Sequence, residues 1–126
     1  MAKRLHKKLK VDAFVSSPAK RAKKTAELFA EAFGQESKDI IFISALYQAP
    51  SSVFFEVVAE LDDKYDSVAI FAHNPGITNF ANELTDAKVD NMPTCAVFAV
   101  NADINKWSAF EKAKKEFVLF DYPKHN

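Results

Sequence analysis

Val11-Asp12-Ala13-Phe14-Val15-Ser16-Ser17-Pro18-Ala19-Lys20-Arg21-Ala22 changes its apolar period partway along, and that change sets the fold class. Val11–Ser16 is a short apolar run flanked by polar residues, the pattern of a buried strand. Ser17 and Pro18 then read as the cap and first residue of a helix. Ala22, Ala26, Phe29, Ala30 and Phe33 recur on one helical face until Gly34 stops it. The same alternation continues outward. Asp39–Ser44 and Ser67–Ala72 read as strands, and Val53, Phe54, Val57, Val58 and Leu61 as a helix from Pro50 to about Asp63. Asn74-Pro75-Gly76 turns the chain into a helix with Ile77, Phe80, Ala81 and Leu84 inward. Cys95–Val100, Trp107–Phe110 and Phe117–Asp121 read as further strands, with a polar turn over Asn101–Asn105. Strands alternating with helices predict an α/β fold, a three-layer sandwich whose mostly parallel sheet carries helices on both faces.

Composition narrows the class. The chain has 126 residues, 48% hydrophobic and 27% charged, which suits one soluble domain over residues 1–126. Gly34 and Gly76 are its only glycines, so neither a dinucleotide loop nor a Walker A loop fits. Cys95 is the single cysteine, which excludes an internal disulfide and a cysteine-rich zinc site. No HExxH, paired-carboxylate or acidic metal cluster is present, so no metal and no cofactor are expected. The longest apolar run, Cys95–Val100, is far short of a membrane span, and the basic start lacks a cleavage pattern. A cytoplasmic address follows as the expectation. Met1–Lys10 reads as a helix with Leu5 and Leu9 on one face, entered without a cap or a preceding strand.

Net charge is zero but strongly polarised. Residues 1–24 carry nine Lys/Arg against Asp12 alone, a net +8 that the 8 basic and 16 acidic residues beyond them cancel. Four of these cations, Lys20, Arg21, Lys23 and Lys24, fall in the first two turns after Pro18. The helix dipole disfavours positive charge there by roughly 0.3–1 kcal/mol each. An anion at the helix end would reverse that cost, with Arg21 adding a planar fork of donors. The competing explanation is solvated lysines with Arg21 paired to a carboxylate. The second unusual junction is Ala72-His73-Asn74-Pro75-Gly76, where His73 follows an apolar strand and belongs at the mouth of the sheet. Such a histidine is either a hydrogen-bonded structural residue or a functional one. His6, in a basic helix, and His125, next to the C-terminus, are weaker candidates.

Ser16-Ser17-Pro18-Ala19-Lys20-Arg21-Ala22-Lys23-Lys24-Thr25-Ala26 resembles the SPxxRAxxTA segment of the histidine phosphatase (phosphoglycerate mutase-like) superfamily. Ser67–Leu84, SVAIFAHNPGITNFANEL, is similar to its second-histidine segment. With the late NMPTCAVFAV stretch and the terminal YPK, the chain most resembles SixA-type phosphohistidine phosphatases over nearly its whole length. The resemblance implies a phosphoglycerate mutase-like fold and metal-free phosphoryl transfer through a covalent phosphohistidine. It matches Arg21 to one of two phosphate-holding arginines and His73 to the second histidine, a catalytic residue that binds the phosphoryl group. Ser16 and Ser17, flanking the same strand end, could add hydrogen bonds, and Asn74 would hold the turn. Substrates would be a phosphorylated protein carrying phosphohistidine, or a small phosphorylated molecule.

The sequence departs from that pattern in one respect. The nucleophile of the family lies in an Arg-His pair ending a strand before the first helix, and Arg4-Leu5-His6 is not such a pair. The expectation is therefore an N-terminally incomplete domain that has the phosphate clamp without the attacking histidine. At Leu46-Tyr47-Gln48, glutamine stands where larger relatives tend to carry an acid. A phosphoramidate leaving group tolerates that absence. The alternative is a non-catalytic phosphate- or phosphoprotein-binding module of the same fold. A basic-arm nucleic-acid binder fits poorly, because no aromatics interleave with the basic run and the rest of the chain is acidic.

Overall fold

The computed structural model describes residues 10–90, 92 and 96–122. The helix read over residues 1–10, save Lys10, lies outside the described residues, as do Cys95, His6 and His125. Two compact units divide the described chain, residues 10–47 with 64–73 and residues 48–63 with 74–122.

The first unit is built on β1 (Ala13–Ser16), the central strand of a parallel sheet between β2 (Ile41–Phe42) and β3 (Val68–Phe71). All four residues of β1 are buried. This is why the run is apolar without alternation, since a central parallel strand is covered on both faces. Asp12 sets the register. Its carboxylate accepts the N–H groups of Asp66 (2.9 Å) and Ser67 (3.3 Å), while its own N–H donates to the Ser67 carbonyl at 3.0 Å. Ala13 then opposes Val68, and Ser16 opposes Phe71.

Helix α1 (Lys20–Ala32) covers this sheet with Ala22, Ala26, Phe29 and Ala30. Phe29 meets Phe71 edge-on at 5.4 Å, and Phe14 lies 6.1 Å from Phe71 and 5.9 Å from Phe33. Gly34 ends the helix as expected, at φ 79°. Its N–H donates to the Glu31 carbonyl and that of Gln35 to the Ala30 carbonyl, a Schellman arrangement that needs a left-handed residue. The start differs from the expectation. The helix begins at Lys20, two residues after Pro18, and Ala19 caps it without a side-chain bond. Ser17 instead accepts the Ala19 N–H on its hydroxyl at 3.1 Å, and its own N–H donates to the Phe71 carbonyl at 2.8 Å. Pairing to β3 holds Ser17 in the sheet, so the chain needs Pro18 and Ala19 to turn.

The second unit holds α2 (Ser51–Ala59), α3 (Gly76–Leu84) and an antiparallel pair, β4 (Val97–Ala102) with β5 (Lys115–Asp121). Phe80 of α3 sits against Phe54 and Phe55 of α2, both at 5.0 Å between ring centroids. Phe54 is fully buried. Three boundaries differ from the sequence expectations. α2 stops at Ala59, and Asp63 is used elsewhere, accepting the Trp107 N–H at 2.8 Å. Trp107–Ala109 is a turn of 3₁₀ helix and not a strand, closed by the Phe110 N–H on the Trp107 carbonyl. β4 runs on through Asn101 and Ala102, which pair with Glu116 and Lys115. Polar residues fit there because an antiparallel ribbon can wet one face.

The described chain is thus mixed α/β, with a parallel sheet flanked by helix. β4 and β5 form a separate two-stranded sheet among the described residues.

Candidate functional site

Parallel strands all end on the same edge of their sheet, and in α/β folds that carboxyl edge gathers the chemistry. Here it collects Ser16 and Ser17 from β1, Phe42 from β2 and His73 from the end of β3. Because Ser16 opposes Phe71, Ser17 and His73 leave neighbouring strands at nearly the same level. Arg21 is the second residue of α1, the helix that leaves this edge.

The three predicted residues differ in their partners. Ser17 is fully buried, with its hydroxyl accepting from Ala19. That bond leaves the hydroxyl proton available to a further acceptor. Ser16 is equally buried, and its hydroxyl donates to the Ser17 carbonyl at 2.8 Å. Arg21 is exposed and makes no ion pair or hydrogen bond among the described residues, so the competing carboxylate partner is absent there. His73 is half-buried, and its Nδ1 is buried with no hydrogen-bond partner among the described residues. No hydrogen bond joins Ser17, Arg21 and His73 to one another.

An unpartnered buried ring nitrogen is costly, about 1–3 kcal/mol for a neutral polar group, and such atoms in folded proteins call for an explanation. Among the described residues the protein offers this nitrogen no partner, which leaves it for another group.

Two further residues, one in each unit, were not singled out from the sequence. Tyr47 packs its ring edge-to-face against His73, centroids 5.8 Å apart, yet remains 53% exposed. Its backbone is fixed by the turn Ser44–Leu46, with its N–H on the Ser44 carbonyl and Leu46 buried beside it. Gln48, next in the chain, takes a left-handed φ of 52°. Thr78 is the second. It bonds to the side chain of Asn74, the residue after His73, and so supports the turn that Asn74 was expected to hold. Thr78 follows Asn74 by four residues, a spacing that places both on one helical face and could have signalled the pair.

Among the described residues no group of three or more His, Cys, Asp or Glu is arranged to hold a metal ion. No described helix is long and apolar enough to cross a membrane.

Comparison with known proteins now bears on this geometry. A family model described as "Histidine phosphatase superfamily (branch 1)" matches residues 1–46, the stretch that contains Ser17 and Arg21. No curated protein matches the chain. Two solved structures share its fold. One is a protein assigned as a phosphohistidine phosphatase SixA from Nakamurella multipartitia, with a TM-score of 0.77 and 18% identity, covering 98% of this chain and 78% of that one. The other, with the same assignment, is from Agrobacterium tumefaciens, with a TM-score of 0.67 and 19% identity over 97% of this chain and 77% of that one. The resemblance read from the motifs is borne out twice, in sequence over residues 1–46 and in fold over nearly the whole chain.

Proposed function

For a chain with the fold of the SixA-type histidine phosphatases, we propose a phosphate-handling site in which His73 and Arg21 hold a phosphoryl group at the carboxyl edge of the parallel sheet. The observation that carries this reading is the buried Nδ1 of His73, left without a partner among the described residues. A phosphoryl oxygen accepts from a protonated ring nitrogen, and Arg21, which has no carboxylate partner among the described residues, can offer two parallel N–H groups to the same anion. Ser17 supplies a third donor through its unused hydroxyl proton. In phosphoryl transfer the charge spreads over the equatorial oxygens, and fixed donors around them lower the barrier.

Within this reading the chain is a phosphohistidine phosphatase-like hydrolase, and its substrate is a phosphorylated protein or a small phosphorylated molecule. The attacking histidine is not His73, whose role is to bind the phosphoryl group. The dipeptide Arg-His occurs nowhere in the sequence. Among the described residues no strand pairs the outer edge of β3, and a further parallel strand laid there would end beside His73. In the phosphatase reading such a strand brings the nucleophile. A second reading is a binding module of the same fold that holds phosphate at Arg21 and His73 without turnover. A reducing, cytoplasmic address accompanies both, supported by the use of a single cysteine.

Titration calorimetry with vanadate at moderate salt tests the site. We expect one saturable site, lost in His73→Ala, and the absence of saturable binding would refute both readings. Trapping of acid-labile phosphohistidine separates the readings from each other. A phosphoenzyme formed on His73 itself would overturn its assignment as a clamp.

A further inference from the structure

The carboxyl edge of the parallel sheet carries more than a phosphate needs. Phe42 ends β2 and is 43% exposed, and Tyr47 is 53% exposed. Phe42 opposes Ser16 on one side of β1, while the strand leading to His73 lies on the other. Two strand spacings separate those flanks, about 10 Å. One phosphoryl group cannot touch both.

The charges on this face are equally one-sided. Lys20, Arg21, Lys23 and Lys24 are all exposed, and no acidic residue lies in the first turn of α1. None of the four forms an ion pair among the described residues. The Nζ of Lys23 stands 5.8 Å from the centroid of the Phe42 ring, so cation and aromatic are presented together. Exposed aromatics beside an arginine form the composition of interface hot spots, and lysines at the margin steer an oppositely charged partner.

We propose that Phe42, Tyr47 and the cations of α1 form a recognition face for an acidic polypeptide segment, which delivers its phosphorylated side chain to His73. The placement of that side chain rests on the phosphate-site reading above. The face itself rests on charge complementarity and on the exposed rings. Tyr47 links the two, since one edge of its contact is His73 and the rest is open. The occupant is a protein segment because the face spans two strand spacings and pairs apolar rings with positive charge. A small phosphorylated metabolite would use neither Phe42 nor Lys23.

Three probes test this on the full chain: inorganic vanadate, a peptide holding a stable phosphohistidine analogue between glutamates, and its counterpart with glutamines in place of the glutamates. The unphosphorylated acidic peptide and a single-stranded oligonucleotide serve as further arms. We expect the acidic phosphopeptide to bind at least tenfold more tightly than the neutral one, with an advantage that shrinks as salt rises. Phe42→Ala and Lys23→Glu should each erase most of that advantage while leaving vanadate affinity within twofold. Both positions are exposed, and near-ultraviolet circular dichroism verifies that the variants fold. Equal affinity for the two phosphopeptides, or an advantage that survives both substitutions, overturns the proposal. So does tighter binding of the oligonucleotide than of the acidic peptide. Should vanadate fail to bind while the unphosphorylated acidic peptide still binds through Phe42 and Lys23, the phosphate site falls and the acidic face stands.

Discussion

Thr78 donates its hydroxyl proton to Oδ1 of Asn74, one helical turn earlier, and accepts the N–H of Met92 at 3.0 Å on the same oxygen. The Asn74 amide closes the triangle by donating to the Met92 carbonyl at 3.1 Å. The start of α3 and the segment at Met92 are thereby tied at the residue that follows His73. Thr78 is buried, so its replacement by an apolar isostere leaves partners unsatisfied. Thr78→Val should cost about 1–3 kcal/mol in urea unfolding, and Thr78→Ser should recover most of it. A valine variant as stable as the wild type would show that the triangle holds nothing.

Arg21→Ala should weaken vanadate binding more than Lys20→Ala or Lys24→Ala. The guanidinium makes paired charge-assisted bonds, whereas exposed lysines contribute a screened attraction. Calorimetry at moderate salt measures the three in parallel. Equal losses would indicate a diffuse basic surface in place of a site.

Gly76 opens α3 beneath a crowded ceiling. A methyl group there would overlap the Ala49 carbonyl oxygen and come within 3.2 Å of Phe54 Cε1. Backbone cannot yield as a flexible side chain can, so Gly76→Ala should destabilise by about 1–3 kcal/mol despite the better helix propensity of alanine. Phe54→Ala should cost more, about 3–5 kcal/mol, because Phe54 is fully buried and stacked on Phe80. Thermal unfolding orders the pair, and a stabilised Gly76→Ala would contradict the packing.

Lys115 gives a pH signature. Its ammonium stands 4.8 Å from the Phe110 ring and 5.6 Å from that of Phe55, and donates to the Glu111 carbonyl. Desolvation lowers its pKa from 10.5, against an opposing pull from Glu111. The folded state therefore releases this proton at lower pH than the unfolded state. Between the lowered value and 10.5 the unfolded chain binds more protons, so this group makes stability rise with pH. The stability of Lys115→Met relative to wild type should accordingly be greatest below that window and decline through it. Denaturant unfolding across the alkaline range checks the slope, and a difference that grows with pH would reverse the sign.

The fold was legible wherever local pattern and tertiary environment agree. β1 and β3 stand within two residues of their expected bounds because central and neighbouring parallel strands are apolar throughout. Gly34 marked the end of α1 because only a left-handed residue closes that cap. Two misread boundaries have partners far away in sequence, whereas the strand expected over Asp39–Ser44 is cut to Ile41–Phe42 by 3₁₀ turns on either side. Trp107-Ser108-Ala109-Phe110 has strand-like side chains, but Asp63, 44 residues earlier, takes the Trp107 N–H and the chain curls. Ser17 looked like a helix cap because nothing local shows that its N–H belongs to Phe71. Of the candidate site, Arg21 and His73 stand out in the sequence by residue type and by position at strand-to-helix junctions. Tyr47 was not, because a tyrosine in a turn gives no hint that it will face a histidine 26 residues on.

Asp12 and Ser67, whose bonds open the pairing of β1 with β3, are 55 residues apart. A ribosome adding about 5–20 residues per second needs roughly 3–11 s to cross that interval. Local strand pairing takes microseconds. Vectorial synthesis, then, decides how long Ala13, Phe14 and Val15 stay uncovered on the side where β3 will lie. Nascent chains halted while Val68–Phe71 is still inside the ribosome should engage holdase chaperones through β1, and chains long enough to expose β3 should let go. Crosslinking at Phe14 along a series of stalled lengths would locate the release. The strand at the centre of the sheet is made well before β3, and it must wait for that neighbour.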